Sequence, residues 1–504
     1  MATPTMTIDR LPSGRPAMPT AAVVAVLCVC GTAVALQQTL IVPLLPDFPE
    51  LLETTSDNAS WLVTSTLLTS AVATPIISRL ADMFGKRRMM VLSMAIMLLG
   101  SVVGGLSADF VTVVLGRTLQ GCSFAVIPIG ISIMRDELPA EKVASAVAIM
   151  SATLGIGAGA GLPLSGLIYQ HLGWHAIFWT SAATAGLLIV ALLIVVPESS
   201  LRTRGRFDYA GAALMSVILT SALLAISKGG VWGWSDNRTL LLFLLAAVLL
   251  VLWVPFELRV RDPLVDIRTS TRRAVLITNL ASILVGFAMY GNMLATTQQL
   301  QMPASSGYGF GLSVIVAGLC MLPGGLAMVA FAPVSAAITN RHGAKITLIT
   351  GALVMAGGYV ARLFLTDEIW QIVLGVTVVS IGTAIGYAAM PTLIMRAVPV
   401  TETAAANGLN TLLRAVGTST SSAAVAAVLT STTMVVGSDV LPTLAAFKHI
   451  FVLAACAALA AAAVAAALPR HSASEHADPL DLARPAPFGH DGLAGARLGK
   501  SIEG

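Results

Sequence analysis

Ser78-Arg79-Leu80-Ala81-Asp82-Met83-Phe84-Gly85-Lys86-Arg87-Arg88 is a short polar interval between two apolar stretches, 59–78 and 89–107. A connection this short makes its flanking helices antiparallel neighbours. An Asp at a helix end, a Gly for the tight turn and then a basic run form a compact charge cluster, able to pair with a neighbouring helix end. The plainer reading is a solvated basic loop. Ala336-Ala337-Ile338-Thr339-Asn340-Arg341-His342-Gly343-Ala344-Lys345 is a weaker echo. Two such loops about 260 residues apart suggest an internal duplication, a common way of building transporters.

Outward from that loop the chain is overwhelmingly apolar. Of 504 residues, 56% are hydrophobic and 11% charged, against about 25% charged in soluble domains. A water-soluble fold could not hide so much apolar surface. Stretches long enough to cross a bilayer, about 20 residues, give fourteen expected spans: 20–45, 59–78, 89–107, 110–134, 143–169, 175–196, 209–228, 239–256, 274–299, 311–337, 346–365, 369–395, 405–434 and 447–468. The expected fold class is an all-α integral membrane protein. The first span is too long for a removable signal peptide and is kept.

Lys and Arg are retained on the cytoplasmic side in short loops. With an even number of spans and both termini cytoplasmic, that side carries Arg79, Lys86, Arg87, Arg88, Arg202, Arg204, Arg206, Arg259, Arg261, Arg272, Arg273, Arg341 and Lys345, and the other only Lys228, Arg238 and Lys448. This bias explains the net charge of +4 without a nucleic-acid partner. Cys28, Cys30, Cys122, Cys320 and Cys456 all fall in apolar spans as small packing residues, so neither a disulfide nor a metal site is expected. No cofactor is expected either. Abundant Ala, Gly and Arg fit a bacterium of high genomic GC content, hence a bacterial plasma (inner) membrane.

The first loop resembles the signature loop of the major facilitator superfamily, and further stretches resemble its fourteen-span drug:proton antiporter branch. Leu115-Gly116-Arg117-Thr118-Leu119-Gln120-Gly121 is similar to an Arg-x-x-Gln-Gly motif of that branch, and Gly157-Ala158-Gly159-Ala160-Gly161-Leu162-Pro163-Leu164-Ser165-Gly166 to its Gly-Pro antiporter motif. Ser60-Trp61-Leu62-Val63-Thr64, Trp174-His175-Ala176-Ile177-Phe178-Trp179 and Asn407-Gly408-Leu409-Asn410 also resemble recurrent patterns. The likeness implies two six-helix halves, 20–200 and 258–468, around an inserted helix pair, 201–257; outside it lie a cytoplasmic segment, 1–19, and 469–504, polar and rich in Pro, Gly and Ala, expected as a disordered cytoplasmic tail. It implies a conformational latch at Asp82, Gly85, Lys86, Arg87 and Arg88, a coupling role for Arg117, Gln120 and Gly121, and a sealing helix marked by Gly157, Gly161, Pro163 and Gly166. Ser78 stands where the family has Gly, Met83 where a basic residue is common, and Pro163 two places after Gly161.

Arg117 lies about 10 Å inside its span, at 1.5 Å per residue. A charge there costs roughly 2.5–3.5 kcal/mol on insertion scales and faces a cavity or partner, unless it snorkels outward. Asn407, Asn410 and Arg414 share one helical face, lining either water or a structural hydrogen-bond network. Gln37, Gln38, Tyr290, Asn292 and Gln298 suit a cavity that binds amphipathic molecules, with helix-to-helix bonding as the plainer reading. No acidic residue lies in a span core, and Leu36-Gln37-Gln38-Thr39 stands where the branch carries a membrane Asp. A neutral to positive cavity set by Arg117 and Arg414, taking neutral or anionic compounds, is the resulting hypothesis.

No constellation for an intramembrane enzyme appears. The expected function is secondary export of small amphipathic compounds, as in multidrug efflux and antibiotic resistance, by a monomer exchanging substrate for protons. A proton-independent facilitator or importer, or a transport-inactive sensor, are the alternatives.

Overall fold

The computed structural model of the protein describes residues 19–469 other than Pro46, Ser200, Arg204 and Ser438, and within helices and strands every side chain but those of Ser56, Asp57, Ala158 and Asp439. The segments expected before residue 19 and beyond residue 469 fall outside the described residues.

Among the described residues, fourteen membrane-length helices follow in order: α1 Thr20–Leu44, α2 Trp61–Phe84, α3 Lys86–Leu106, α4 Phe110–Glu137, α5 Ala140–Leu172, α6 His175–Val195, α7 Tyr209–Trp232, α8 Asn237–Arg259, α9 Arg273–Gln301, α10 Val314–His342, α11 Ala344–Arg362, α12 Ile369–Ala397, α13 Val400–Ser431 and α14 Leu444–Ala466. Helices are what an apolar run must form in lipid, since each backbone polar group has to be satisfied inside its own segment. Local chemistry sets the ends. Asp109 accepts the Thr112 N–H at 2.9 Å at the start of α4, and that bond, with the Thr112 hydroxyl, holds its carboxyl below the usual carboxylate range. Gly85, at φ +117°, turns α2 into α3 in a backbone region open chiefly to glycine. A two-stranded antiparallel hairpin, β1 Thr433–Val436 and β2 Asp439–Pro442, pairs Thr433 with Pro442 between α13 and α14.

Two principal apolar clusters form the interior. One joins α1, α3, α4 and α6 through residues such as Leu27, Met94, Ile129 and Leu188. The other joins α9, α11 and α14 through Val285, Leu348, Tyr359 and Phe447. They meet along two seams, α2 against α13 and α5 against α10. The hairpin of α7 and α8 packs through α7 onto α2 and α13. Its other helix turns Leu241, Leu244, Val251 and Leu252 outward. Such an apolar exterior is a liability in water and a requirement in a bilayer.

The helix order agrees with the fourteen expected spans. Lys228, expected at the outer end of its span, is buried there in α7: it donates to the Ser60 hydroxyl at 2.9 Å and lies 5.2 Å from the centre of the Trp61 ring.

Candidate functional site

At the basic end, Asp82 closes α2 onto α13. Its carboxylate, fully buried, accepts the backbone N–H groups of Ala404 at 3.2 Å and Ala405 at 2.8 Å. These are among the free donors of the first turn of α13, where the helix dipole favours an anion. Lys86 reaches Asp136 at 2.6 Å and lies 3.9 Å from Asp82. Arg87 donates its N–H to Glu198 at 3.1 Å, and the Arg88 guanidinium lies 3.6 Å from the same carboxylate. Gly85 leaves room for Glu198, which a Cβ there would meet at 2.7 Å. Arg135 binds the Thr403 hydroxyl at 2.7 Å. Thr203, in the α6–α7 connection, donates its N–H to the Asp82 carbonyl at 2.8 Å and its hydroxyl to the Thr401 carbonyl at 2.7 Å. The echo loop builds no counterpart: Asn340 is exposed and Lys345 instead binds the Ala466 carbonyl at 2.8 Å, at the end of α14.

Arg117 neither snorkels nor faces a cavity. Only 2% exposed, it donates from Nε to the Leu62 carbonyl at 2.9 Å and from Nη1 to Gln120 Oε1 at 2.8 Å and the Gln37 carbonyl at 3.3 Å. Gln120 also accepts from the Gln37 amide and donates to Ser101, each at 2.8 Å. The motif thus ties α1, α2, α3 and α4 together. Gly121 permits this, because a Cβ there would meet the Thr66 carbonyl at 2.6 Å. The guanidinium is paired with carbonyl and amide oxygens rather than with a carboxylate.

A cavity of about 290 Å³ lies between the two clusters, on the other side of the Asp82 closure. Gln38 and Thr39 of α1, Tyr290, Asn292 and Met293 of α9, Met321 and Met328 of α10, Tyr387 of α12 and Arg414 of α13 line it, and α7 adds Leu223 and Ser227. Of the expected cavity residues, Gln38, Tyr290, Asn292 and Arg414 are therefore brought together. Gln37, Gln298, Asn407 and Asn410 are not: Gln37 belongs to the Arg117 network, Asn407 bonds the Thr403 carbonyl of its own helix at 3.0 Å, and Asn410 donates to Asn279 at 2.9 Å and Ser282 at 2.7 Å. Among the described residues, none that lines the cavity carries a carboxylate. Arg414 stacks over the Tyr387 ring, 4.1 Å from its centre, and holds Asn410 at 3.3 Å and Thr411 at 3.2 Å. Both bonds are long for a guanidinium, leaving donor capacity toward the cavity.

A further embedded cation was not singled out in the sequence. Arg362, at the end of α11, is 1% exposed, donates to Asn292 at 2.6 Å and lies 4.0 Å over the Phe451 ring. It lies within the expected span 346–365, near its end, and closes α11.

The glycines of α5 serve two neighbours. A Cβ on Gly157 or Gly161 would run into Ala35 or Thr39 of α1, and one on Gly155 or Gly166 into Met328 or Ile315 of α10. Pro163 packs by its ring near Gly318 of α10. Close packing through small faces is thus what this run provides.

A family model described as Major Facilitator Superfamily matches residues 27–289 and 276–494. The chain is 28% identical over 390 residues to the multidrug resistance protein Stp of Mycobacterium tuberculosis, covering 76% of this chain and 71% of that protein. It is 29% identical over 326 residues to the tetracenomycin C resistance and export protein of Streptomyces glaucescens, covering 64% and 59%. A human organic anion transporter of solved structure superposes with a TM-score of 0.63 at 16% identity, covering 90% of this chain and 100% of that one; this likeness bears on the fold alone.

Proposed function

The chain belongs to the Major Facilitator Superfamily, with relatives of the multidrug-efflux type, and from that premise we propose that it exports small amphipathic compounds from a bacterial cell by proton antiport and alternating access. The observation that carries this reading is the pairing of a central apolar cavity with a buried charged closure at the basic end. With the basic end cytoplasmic, the cavity belongs to a state closed toward the cytoplasm. Export then requires the α2–α13 seam to part there, breaking the Asp82 bonds to α13, while a matching closure forms outside. The bundles around α1–α6 and α9–α14 act as the two rocking halves, with α7 and α8 as the inserted pair.

The cavity favours neutral or anionic cargo. Among the described residues Arg414 is the one permanently charged lining group, and no carboxylate answers it. Methionine and tyrosine surfaces suit varied apolar bodies, because Met adapts its shape. Arg117 and Gln120 act as a brace on which coupling depends, rather than as cargo ligands. A second reading, a gradient-independent facilitator, draws support from the missing carboxylate in the cavity.

Uptake into proteoliposomes of cationic, neutral and anionic amphipathic compounds, with and without an imposed pH gradient, tests these readings. Gradient-driven movement of neutral or anionic members is the expected result. Movement indifferent to the gradient favours the facilitator, and preferential transport of a permanently cationic dye overturns the assigned cargo class.

A further inference from the structure

Away from the cavity and the Asp82 closure, a half-buried and a buried carboxyl group, Asp208 and Glu257, each keep one buried oxygen without the partner its chemistry requires. Asp208 caps α7, its Oδ1 accepting the Gly211 N–H at 2.8 Å. Glu257, near the end of α8 and 2% exposed, accepts the Val265 N–H on Oε1 at 2.7 Å. The remaining oxygens, Asp208 Oδ2 and Glu257 Oε2, are buried with no donor among the described residues. They converge over Gly211, where an added Cβ would run into both. Gly211 leaves the space in which the two carboxyl groups meet. Two ionised carboxylates there would repel and leave acceptors bare, whereas one shared proton satisfies both oxygens.

Nothing basic among the described residues neutralises the pair. No Lys or Arg ion-pairs with either group. Arg206, Arg259 and Arg261 are exposed; Asp262 accepts the Arg206 N–H, Asp266 is engaged with Thr269, and Arg79 of α2 acts on Glu402. Around the pair α2 and α13 contribute Ile76 and Leu409, in one apolar cluster with Trp253, Leu264 and Val265. Trp253 also donates to the Gly211 carbonyl at 3.2 Å.

We propose that Asp208 and Glu257 form a proton-binding site of the α7–α8 hairpin, holding one proton between Oδ2 and Oε2 while the basic end is closed. The same cluster joins the hairpin to both sides of the α2–α13 seam. Parting of that seam moves the surface beneath Leu264 and Val265, and with it the N–H that holds Glu257. Water then reaches the pair and the proton leaves on that side. Acidification at the basic end therefore favours closure. Only this link to opening rests on the alternating-access reading; the proton site itself does not.

The test is an infrared pH titration of the full-length protein in nanodiscs without substrate. A protonated-carboxyl band persisting at neutral pH is expected, lost in Glu257→Gln and in Asp208→Asn but retained in Asp82→Asn. Glu257→Gln is nearly isosteric and supplies an N–H to Asp208, so it should fold. Absence of the band from the unaltered protein, or its survival in both variants, overturns the proposal. So does stabilisation by sodium over choline chloride without the band, which would mark a bound cation. Labelling of a cysteine placed at the basic end of α2 should fall on acidification in the parent protein and lose that response in Glu257→Gln; a response unchanged in the variant overturns the link to closure. Neither readout needs transport, so failure of the export reading leaves this test intact.

Discussion

Asp82 concentrates the most consequence in one side chain. Its fully buried carboxylate meets two N–H groups at a helix start, and the charge–dipole part of such a contact is worth up to about 2 kcal/mol when buried. Asp82→Asn keeps the shape and loses the charge, so the equilibrium should move toward an open basic end by roughly 5- to 30-fold for about 1–2 kcal/mol. Spin-label distances across α2 and α13 would report it. Arg414→Gln should weaken binding of an anionic compound by roughly ten- to a hundredfold, for about 1.5–3 kcal/mol in a charged hydrogen bond, and leave neutral compounds nearly unchanged; ligand titration on purified protein checks both. Asp82, Arg117 and Arg414 were legible because a charge beside or inside an apolar stretch stands out. Their partners were not: whether Gln37 faces the cavity or Gln120 depends on which helices adjoin, and no local pattern encodes that. Lys228 and Arg362 stand near the ends of the expected spans 209–228 and 346–365, and that both are buried depends on which helices adjoin. Asp208 and Glu257 look like ordinary charges in two separate connections until α7 and α8 bring them together.

Among the elements, α5 is the one most constrained by its neighbours. Replacing Gly157 and Gly161 together with Val should force α1 away and cost about 1–3 kcal/mol per site by overpacking, lowering the thermal midpoint. Gly357 of α11, whose added Cβ meets nothing within 4 Å, should accept Ala without loss. The repeated small residues of α5 announced close packing from the sequence; their division between α1 and α10 appears only in three dimensions. The α2–α3 loop was legible as a charge cluster, whereas Asp136, Arg135 and Glu198, which complete it, come from α4 and from just beyond α6, far along the chain.

For the whole molecule the fourteen helices were legible because the bilayer demands long apolar runs and basic residues mark their ends. The seams were not, since they depend on how the helices pack. The α2–α13 seam closes through Ser78 and Gly408, an ideal Cβ on the latter lying 2.7 Å from the Ser78 Cβ. In a background without native cysteines, Ser78→Cys with Gly408→Cys should crosslink after slight relaxation. Oxidation should abolish transport and reduction restore it.

The position of α7 against both α2 and α13, with Leu223 and Ser227 reaching the cavity, has a consequence for competition. The most abundant amphiphile around this protein is membrane lipid, and a cavity adaptable enough for varied apolar cargo is adaptable enough for an acyl chain. A seam facing the bilayer would wick in lipid tails whenever it widened, at a concentration no cargo could match. On the export reading proposed above, the α7–α8 hairpin, packed through α7 against α2 and α13, would stand as a bulkhead in that gap and keep a permissive cavity from filling with the solvent in which the protein is dissolved.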